Sequence, residues 1–244
     1  MRRILLLCAV MLLAWGCAAT QIALEKKDLK VETLMSDTVF LDVESLAERS
    51  VFVDVRNTSD KDLNIAQGII GRLQQKGYAI STNPKTAGYL LQVNVLQVGM
   101  ADPSALRSSV YGGYGSTLGA GLAGATAGAL IGGAAGNSVA GGAIGGLAAG
   151  TADVVAGSLV KDVTYSIMTD VMISEKTTGK VSERQAANLA KGKGTSVQQS
   201  VDKTTNRLRY QTRVASSANK VNLKFEEALP ALEDGLVRSI SGIF

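Results

Sequence analysis

The chain has 244 residues, of which 46% are hydrophobic and 19% are charged, and its formal net charge is +4. This charge is too small to argue for a nucleic-acid partner. Because the chain contains no histidine, it lacks the residue on which Ser-His, Cys-His and His-metal sites depend. No paired-carboxylate motif occurs either, so we expect no catalytic residues, no metal and no cofactor, and therefore no enzyme.

The beginning of the chain has the layout of a bacterial secretory signal. Arg2 and Arg3 precede an apolar run at 4–15, which is short for a membrane span of about 20 residues. Cys8, one of the two cysteines, lies inside this run. We assign residues 1–16 to a signal peptide; an N-terminal membrane anchor is the alternative interpretation.

The motif Gly16-Cys17-Ala18 resembles the lipobox of bacterial lipoproteins, in which the signal is cut between Gly16 and Cys17. The match is imperfect, because Ala14 stands where Leu is usual and Trp15 where a small residue is usual. We expect a covalent lipid on the Cys17 thiol, which anchors the chain by about 0.8 kcal/mol per buried CH₂. Ala18, where Asp would retain the protein at the inner membrane, favours the outer membrane. No cysteine is then left for a disulfide.

Residues 17–107 are predicted to form the first half of a periplasmic α+β domain. Alternation of apolar and polar residues predicts strands at 39–43, 51–55 and 91–95. A helix is predicted from a cap at Ser59 or Asp60 to about Lys76, because Gly77 is a typical helix stop. The apolar face of this helix consists of Ile65, Ile69 and Leu73.

The middle of the chain has no charged residue between Arg107 and Asp153, and residues 118–150 are mostly Gly and Ala. Small residues recur there at intervals of four, which places them on one face of a helix and lets two backbones pack closely, as membrane helices do. These small residues are Ala120, Gly124, Gly128, Gly132, Gly136, Gly142, Gly146 and Gly150.

A turn at Gly136-Asn137-Ser138 divides this stretch into two arms, predicted as helices at about 114–135 and 139–158. Each arm is close to the ~20 residues of a bilayer crossing, but it is weakly apolar and needs packing partners. We therefore predict a Gly/Ala-rich, membrane-inserting helical hairpin over 108–160 that packs side by side in an oligomer. A flexible linker and a hairpin buried in a water-soluble core are the alternatives.

Residues 161–244 are predicted to form the second half of the α+β domain with a C-terminal helix. Alternation predicts strands at 163–167, 208–214 and 221–225, and the hydrophilic segment 174–203 is predicted to be a hairpin or a mobile loop. The helix has Pro230 in its first turn, and its apolar face consists of Leu229, Leu232, Leu236, Ile240 and Ile243. The predicted fold class is α+β, a mixed sheet with packed helices that the Gly/Ala-rich hairpin interrupts.

Three arginines, Arg207, Arg209 and Arg213, share one face of the predicted strand in NRLRYQTRV (206–214). This face admits two interpretations. It could bind lipid phosphate, or it could be a solvated strand face whose charge is balanced by Asp and Glu elsewhere.

Four segments of the chain resemble the TraT family of surface-exclusion and complement-resistance lipoproteins of conjugative plasmids. They are NTSDKDL (57–63), KGY (76–78), YQTRV (210–214) and ANKVNLKFEEALPALEDGL (218–236). The lipoprotein start, the Gly/Ala-rich middle and the chain length also fit this family. The imperfect lipobox is a departure from it.

The resemblance implies an oligomeric outer-membrane lipoprotein, partly exposed on the cell surface, that blocks redundant conjugative transfer and interferes with complement. We expect as partners further copies of the chain in a ring, outer-membrane lipid and a conjugation component of the donor cell. The turn Gly136-Asn137-Ser138 is our candidate surface contact. The alternatives are a structural Gly-zipper lipoprotein that stabilises the outer membrane and an oligomeric pore.

Overall fold

The computed structural model describes residues 25–41, 49–116, 118, 161–191 and 195–244, with only the backbone given for 185–191 and 195–201. Within these ranges the chain forms six strands and three helices. The strands are β1 (Lys30–Met35), β2 (Ser50–Asn57), β3 (Ala79–Ile80), β4 (Tyr89–Met100), β5 (Asp162–Lys191) and β6 (Thr195–Val221). The helices are α1 (Ile65–Gln75), α2 (Pro103–Tyr111) and α3 (Phe225–Ser241).

The strands form one mixed sheet in the order β1-β6-β5-β4-β2-β3. β2 runs parallel to β3 and β4, and the other neighbours are antiparallel. β4 precedes the uncharged stretch and β5 follows it, so their pairing joins the two flanks of that stretch in one sheet. The mixed sheet with packed helices that the sequence predicts is confirmed.

One face of the sheet is covered by α1 and α3, which pack against each other and against the strands. Ile69 and Leu73 of α1 and Leu236 of α3 are fully buried in this layer. The strand residues buried with them include Val51, Leu91, Val93, Val95, Val163 and Ile167. Each large aliphatic side chain buried in this way contributes about 1.5–3 kcal/mol, so this layer stabilises the union of the two flanks.

The predicted first helix begins later than expected, at Ile65 rather than at Ser59 or Asp60. The Asn57 side chain donates to the Lys61 carbonyl oxygen at 2.6 Å and accepts from the Ser59 N–H at 2.9 Å. Such side-chain bonds to the backbone compete with helix formation, and they hold this segment in a turn.

The end of α1 is as predicted. Gly77 has a φ of 86°, which lies in the left-handed region that glycine adopts without steric cost. The Tyr78 N–H then donates to the Leu73 carbonyl oxygen at 3.0 Å, a bond typical of a helix that ends at glycine.

The first strand lies earlier in the chain than predicted. β1 pairs with β6 from Lys30 to Met35, whereas the predicted strand at 39–43 is absent from 39–41, and its remainder lies outside the described residues. The Ser36 N–H donates to the Arg213 carbonyl oxygen at 2.9 Å, after which the chain bends away from the sheet. Pairing with a distant strand decides which short apolar run becomes β1.

The strand predicted at 221–225 is wrong, because β6 ends at Val221. Asn222 has a φ of 52°, a left-handed conformation that interrupts a strand. α3 then begins at Phe225, so Pro230 lies inside the helix rather than in its first turn. The predicted apolar face is buried at Leu232, Leu236 and Ile240 and partly buried at Leu229 and Ile243.

The helix α2 was not predicted, although its N-terminus carries two helix-start signals. The Asp102 carboxylate caps the N–H groups of Ser104 and Ala105 at 2.9 Å, and proline follows at the first helical position. The predicted first arm of the Gly/Ala-rich hairpin is wrong at 114–116, where the structure shows a turn. The rest of both arms lies outside the described residues. Among those that are described, no helix is long and apolar enough to cross a membrane.

The hydrophilic segment at 174–203 forms a β-hairpin rather than a mobile loop. β5 and β6 pair from Asp162 and Val221 to Lys176 and Arg207, and after an irregularity they pair again from Val181 and Thr205 to Lys191 and Thr195. Beyond Lys176 the hairpin projects past β4, whose pairing with β5 ends at Glu175.

Two glycines of α1 provide a matched test of the packing between α1 and α3. A Cβ at Gly68 would lie 2.9 Å from a methyl carbon of Val237, whereas a Cβ at Gly71 would meet nothing within 4 Å. We expect Gly71→Ala to raise the free energy of unfolding by about 0.5–1 kcal/mol through helix propensity. Gly68→Ala should lower it by about 1 kcal/mol through overpacking. Urea unfolding of the detergent-solubilised chain measures both changes. An equal rise in the free energy of unfolding for the two variants would contradict the close approach of Gly68 to Val237.

Candidate functional site

The sheet face opposite α1 and α3 carries a buried ion pair beside α2. Arg213 of β6 and Asp170 of β5 are direct partners in the strand register. Successive side chains of a strand alternate between faces, so both lie on the face opposite the buried Val171 and Val214. α2 covers part of this face through a small apolar cluster of Leu106, Val110, Met168 and Ala215 with Ala101.

The Arg213 guanidinium is fully buried and uses all five of its N–H groups. Its Nε and Nη2 donate to the two carboxylate oxygens of Asp170 at 2.7 and 3.1 Å, the bidentate geometry in which charge-assisted hydrogen bonds are strongest. Nη1 donates to the Ser109 carbonyl oxygen at 3.1 Å and to the Ser116 hydroxyl at 2.7 Å. Nη2 also donates to the Ser116 carbonyl oxygen at 2.9 Å.

Asp170 has a further bond, because its Oδ2 accepts from the Gly115 N–H at 2.9 Å. Gly113 and Gly115 have φ values of 78° and 72°, so this turn depends on glycine to bring its backbone to the carboxylate. Burial, and then the negative charge of Asp170, raise the pKa of the Tyr114 phenol. We call Arg213 and Asp170, with the backbone they hold at Ser109, Gly115 and Ser116, the clamp.

The clamp lies where the chain leaves the sheet for the uncharged stretch. Arg107, in α2, is the last charged residue before that stretch, and Leu118 packs back against the apolar cluster under α2. Burying two charges costs several kcal/mol for each ion, so a buried pair is weak evidence for stability and better evidence for a fixed geometry. The clamp therefore fixes the direction in which the uncharged stretch begins.

The structure separates the three arginines. Arg209 is exposed and pairs with Glu183 at 3.0 Å, as the solvated, charge-balanced face predicts. That interpretation is wrong for Arg213, which is buried, and Arg207 donates to backbone carbonyl oxygens of Pro84, Ala87, Gly88 and Ser174. A signal was present in the sequence, since Asp170 is the single charged residue between Asp162 and Glu175, just after the strand predicted at 163–167.

The functional residues that the sequence predicts fall elsewhere. The cleavage and lipidation residues Gly16 and Cys17, the small residues from Ala120 to Gly150, and the turn Gly136-Asn137-Ser138 lie outside the described residues. These assignments therefore stay predictions.

A cavity of about 360 Å³ lies between β1 and α2. Its lining includes Glu32, whose carboxylate pairs with Lys30 at 2.7 Å and with Arg107 at 3.6 Å. The hydrogen bond and charge of Lys30, with a smaller contribution from Arg107, lower the pKa of Glu32. Three basic and three acidic residues line the cavity, so its charge favours neither an anion nor a cation.

Comparison with known proteins gives a match over most of the chain. The model of a family described as the enterobacterial TraT complement resistance protein matches residues 28–244. Two TraT complement resistance proteins of Escherichia coli are 42% and 43% identical to this chain, over 93% of it and 91% and 92% of their own lengths. A third, from strain K12, is 42% identical over 93% of this chain and 91% of its own length.

The clamp can be tested by breaking it from either side. Arg213→Met leaves Asp170 buried without its cation, and Asp170→Asn leaves the guanidinium uncompensated, so each should lower the free energy of unfolding by about 3–5 kcal/mol. Arg209→Met on the same strand is the matched control, since its pair with Glu183 is partly exposed and worth about 1 kcal/mol or less. Urea unfolding measures the three variants. A loss at Arg213 no larger than that at Arg209 would contradict the clamp.

The cap of α2 predicts a pH dependence. The hydrogen bond from Ser104 and those from the capped N–H groups lower the pKa of Asp102. Because the pKa of Asp102 is lower in the folded protein than its unfolded value of about 3.9, the ionised carboxylate stabilises the fold above that pH. This contribution is lost as the pH falls through the lower pKa of the folded protein. Asp102→Ala should cost about 1 kcal/mol at pH 7 and progressively less below pH 4. Urea unfolding of the wild-type protein and of Asp102→Ala at pH 7 and pH 3 measures this loss. The same difference in the free energy of unfolding at both pH values would refute the prediction.

Proposed function

The chain belongs to the TraT family of complement resistance proteins, and we propose that it is an outer-membrane lipoprotein that mediates surface exclusion and resistance to complement. In this proposal Cys17 carries the lipid, several copies form a ring, and part of each copy is exposed on the cell surface. The observation that carries the proposal is the family match over residues 28–244. The geometry at the two ends of the uncharged stretch adds support.

The first support is that the lipid-proximal end of the domain meets the start of β5, where the chain rejoins the sheet after the Gly/Ala-rich region. Lys26 forms an ion pair with Asp162, the first residue of β5, and its carbonyl oxygen accepts from the Val221 N–H at 2.9 Å. Lys26 follows Cys17 by nine residues, a reach of at most about 30 Å for an extended chain. This adjacency favours a lipid anchor and an uncharged stretch that meet the same membrane.

The second support is the clamp at the outgoing end. The segment between α2 and β5, which contains the uncharged stretch, leaves beside Asp170 and rejoins the sheet at Asp162, eight residues away on the same strand, which is roughly 26 Å. Both ends are thus attached to the same rigid strand. A membrane-inserted hairpin held in this way would have a fixed position relative to the sheet, as side-by-side packing in a ring requires.

We place the contact with the donor cell at the Gly136-Asn137-Ser138 turn, the only clear break in the uncharged stretch. In this proposal the small residues from Ala120 to Gly150 pack neighbouring hairpins against each other, and the turn faces outward. It then touches a component of the donor's conjugation apparatus. Resistance to complement follows the naming of the relatives as complement resistance proteins.

The two cysteines offer a matched test of the lipoprotein proposal. Cys17→Ser should abolish incorporation of labelled palmitate, raise conjugative transfer into the cell at least tenfold, and reduce survival in serum. The reason is that an unanchored chain loses its place in the outer membrane. Cys8→Ser should change none of these, because Cys8 lies in the predicted signal. Palmitate labelling, mating with a related donor and serum killing are the measurements.

The same matings separate exclusion from the structural alternative. Exclusion should act on donors of a related element and spare unrelated ones. Equal reduction for all donors, together with altered permeability of the envelope to small dyes, would favour a Gly-zipper lipoprotein that stabilises the outer membrane. An unlabelled wild-type chain with full exclusion would overturn the lipid anchor.

A further inference from the structure

We propose that the outward side of α2 lies among the lipid headgroups of the membrane to which the chain is anchored. This side, the α2 surface, consists of Ser104, Arg107, Ser108 and Tyr111 of the helix and Tyr114 of the glycine turn that follows it. The inference rests on the membrane attachment in the proposed function and names the part of the domain that meets the bilayer.

α2 has a buried side and an exposed side. Leu106 and Val110 of the buried side pack in the apolar cluster against the sheet. Four exposed residues recur at intervals of three and four, a spacing that places them together on the opposite side of the helix. They are Ser104, Arg107, Ser108 and Tyr111. The helix thus presents one continuous surface away from the sheet.

Two tyrosines make this surface partly apolar. Among the described residues four large hydrophobic side chains are exposed, and two of them are Tyr111, at 71%, and Tyr114, at 38%. A tyrosine ring is apolar and its hydroxyl is polar, so tyrosine is enriched where a membrane meets water. The clamp holds the turn that carries Tyr114, through the bond from the Gly115 N–H to Asp170. The surface therefore has a fixed position relative to the sheet.

The charges of the two helical layers differ, and the difference indicates which side faces lipid. α3, on the other face of the sheet, contains four acidic residues and one basic residue. Of these, Glu226, Glu227 and Asp234 are exposed acidic residues. α2 contains one charged residue, Arg107. Lipid phosphates attract a guanidinium and repel carboxylates, so the α2 side suits a headgroup layer and the α3 side suits water.

Arg107 is available to a phosphate group. Its guanidinium lies 3.6 Å from the Glu32 carboxylate, and its side chain is 58% exposed. This separation is too long for a hydrogen bond, so the N–H groups of Arg107 can donate to phosphate oxygens in the headgroup layer. A long arginine side chain reaches such oxygens while its aliphatic part lies against apolar surface.

The size of the α2 surface favours lipid over a second copy of this chain. A tyrosine buries about 150–250 Å², so the two tyrosines cover about 300–500 Å², whereas a stable protein interface covers about 800 Å² on each partner. The chain also continues from Leu118 to Asp153 without a charged residue. The segment that the proposed function inserts into the membrane therefore begins directly beside this surface.

A single tryptophan measures the depth of the α2 surface in the full, lipidated chain. Trp15, the one tryptophan of the sequence, lies in the predicted signal, so Tyr111→Trp gives the mature chain a unique fluorophore. The vesicles contain phosphatidylethanolamine, phosphatidylglycerol and brominated phosphatidylcholine. Bromine near the start of the acyl chains should reduce the emission about twofold, and bromine near their ends much less, because the ring lies at headgroup depth.

Pro230→Trp is the matched control, because Pro230 is exposed among the acidic residues of α3. Its emission should not respond to either brominated lipid. Acrylamide, a quencher dissolved in water, should act more strongly on Pro230→Trp than on Tyr111→Trp. Tyr114→Trp is a second probe of the α2 surface and should behave like Tyr111→Trp. Circular dichroism verifies that each variant is folded, and flotation with the vesicles verifies that it is attached.

The outcomes separate this inference from the proposed function. A chain that floats with the vesicles, but whose tryptophan at 111 is quenched by acrylamide and not by bromine, keeps its anchor and overturns the inference. Protection from both quenchers assigns the α2 surface to a second copy of the chain and also overturns it. Equal quenching of Pro230→Trp by bromine overturns the choice of face. A wild-type chain that does not float refutes both the membrane attachment and the inference.

Discussion

A guanidinium with no solvent exposure constrains this structure more than any other group described. Arg213 has five N–H groups to satisfy, and it does so with one carboxylate, two backbone carbonyl oxygens and one hydroxyl. Each unpaired donor in such a site costs about 1–3 kcal/mol. The end of α2, the glycine turn and the register of β5 against β6 must therefore all be in place together. The departure of the uncharged stretch is in this way tied to the pairing of two strands.

Much of the fold was predictable because its elements are regular. β2, β4 and the buried part of β5 alternate with period two, and α1 and α3 repeat their apolar residues at helical spacing, so each buried face follows from local pattern. β1 did not follow, since its six residues are no more strand-like than 39–43. They become a strand only by pairing with β6, and register partners such as Lys30 and Asn219 lie far apart in sequence. α2 was not predicted because it begins at Asp102, just before the uncharged stretch, and the sequence there was interpreted as the start of a membrane-inserting hairpin.

The clamp could not be predicted from the local sequence for a related reason. Alternation correctly placed Arg207, Arg209 and Arg213 on one face of a strand, but it does not distinguish a buried arginine from an exposed one. That distinction needs the register, which sets Asp170 opposite Arg213, and it needs α2 above the pair. The hairpin of β5 and β6 is the complementary case. The hydrophilic composition of 174–203 predicted either a hairpin or a mobile loop, and the pairing of β5 with β6 decides for the hairpin.

The segments by which the chain resembles its family coincide with constraints of the scaffold. NTSDKDL contains the Asn57 turn, KGY contains the left-handed Gly77, and YQTRV contains Arg213. The last segment contains Gly235, where a Cβ would lie 2.7 Å from the Ser216 hydroxyl. Substitution at these positions would leave a buried charge, a strained backbone or a steric overlap, so they are restricted whatever the protein touches. In the proposed function, the residues that distinguish one conjugative element from another would therefore lie in segments that the scaffold leaves free to vary.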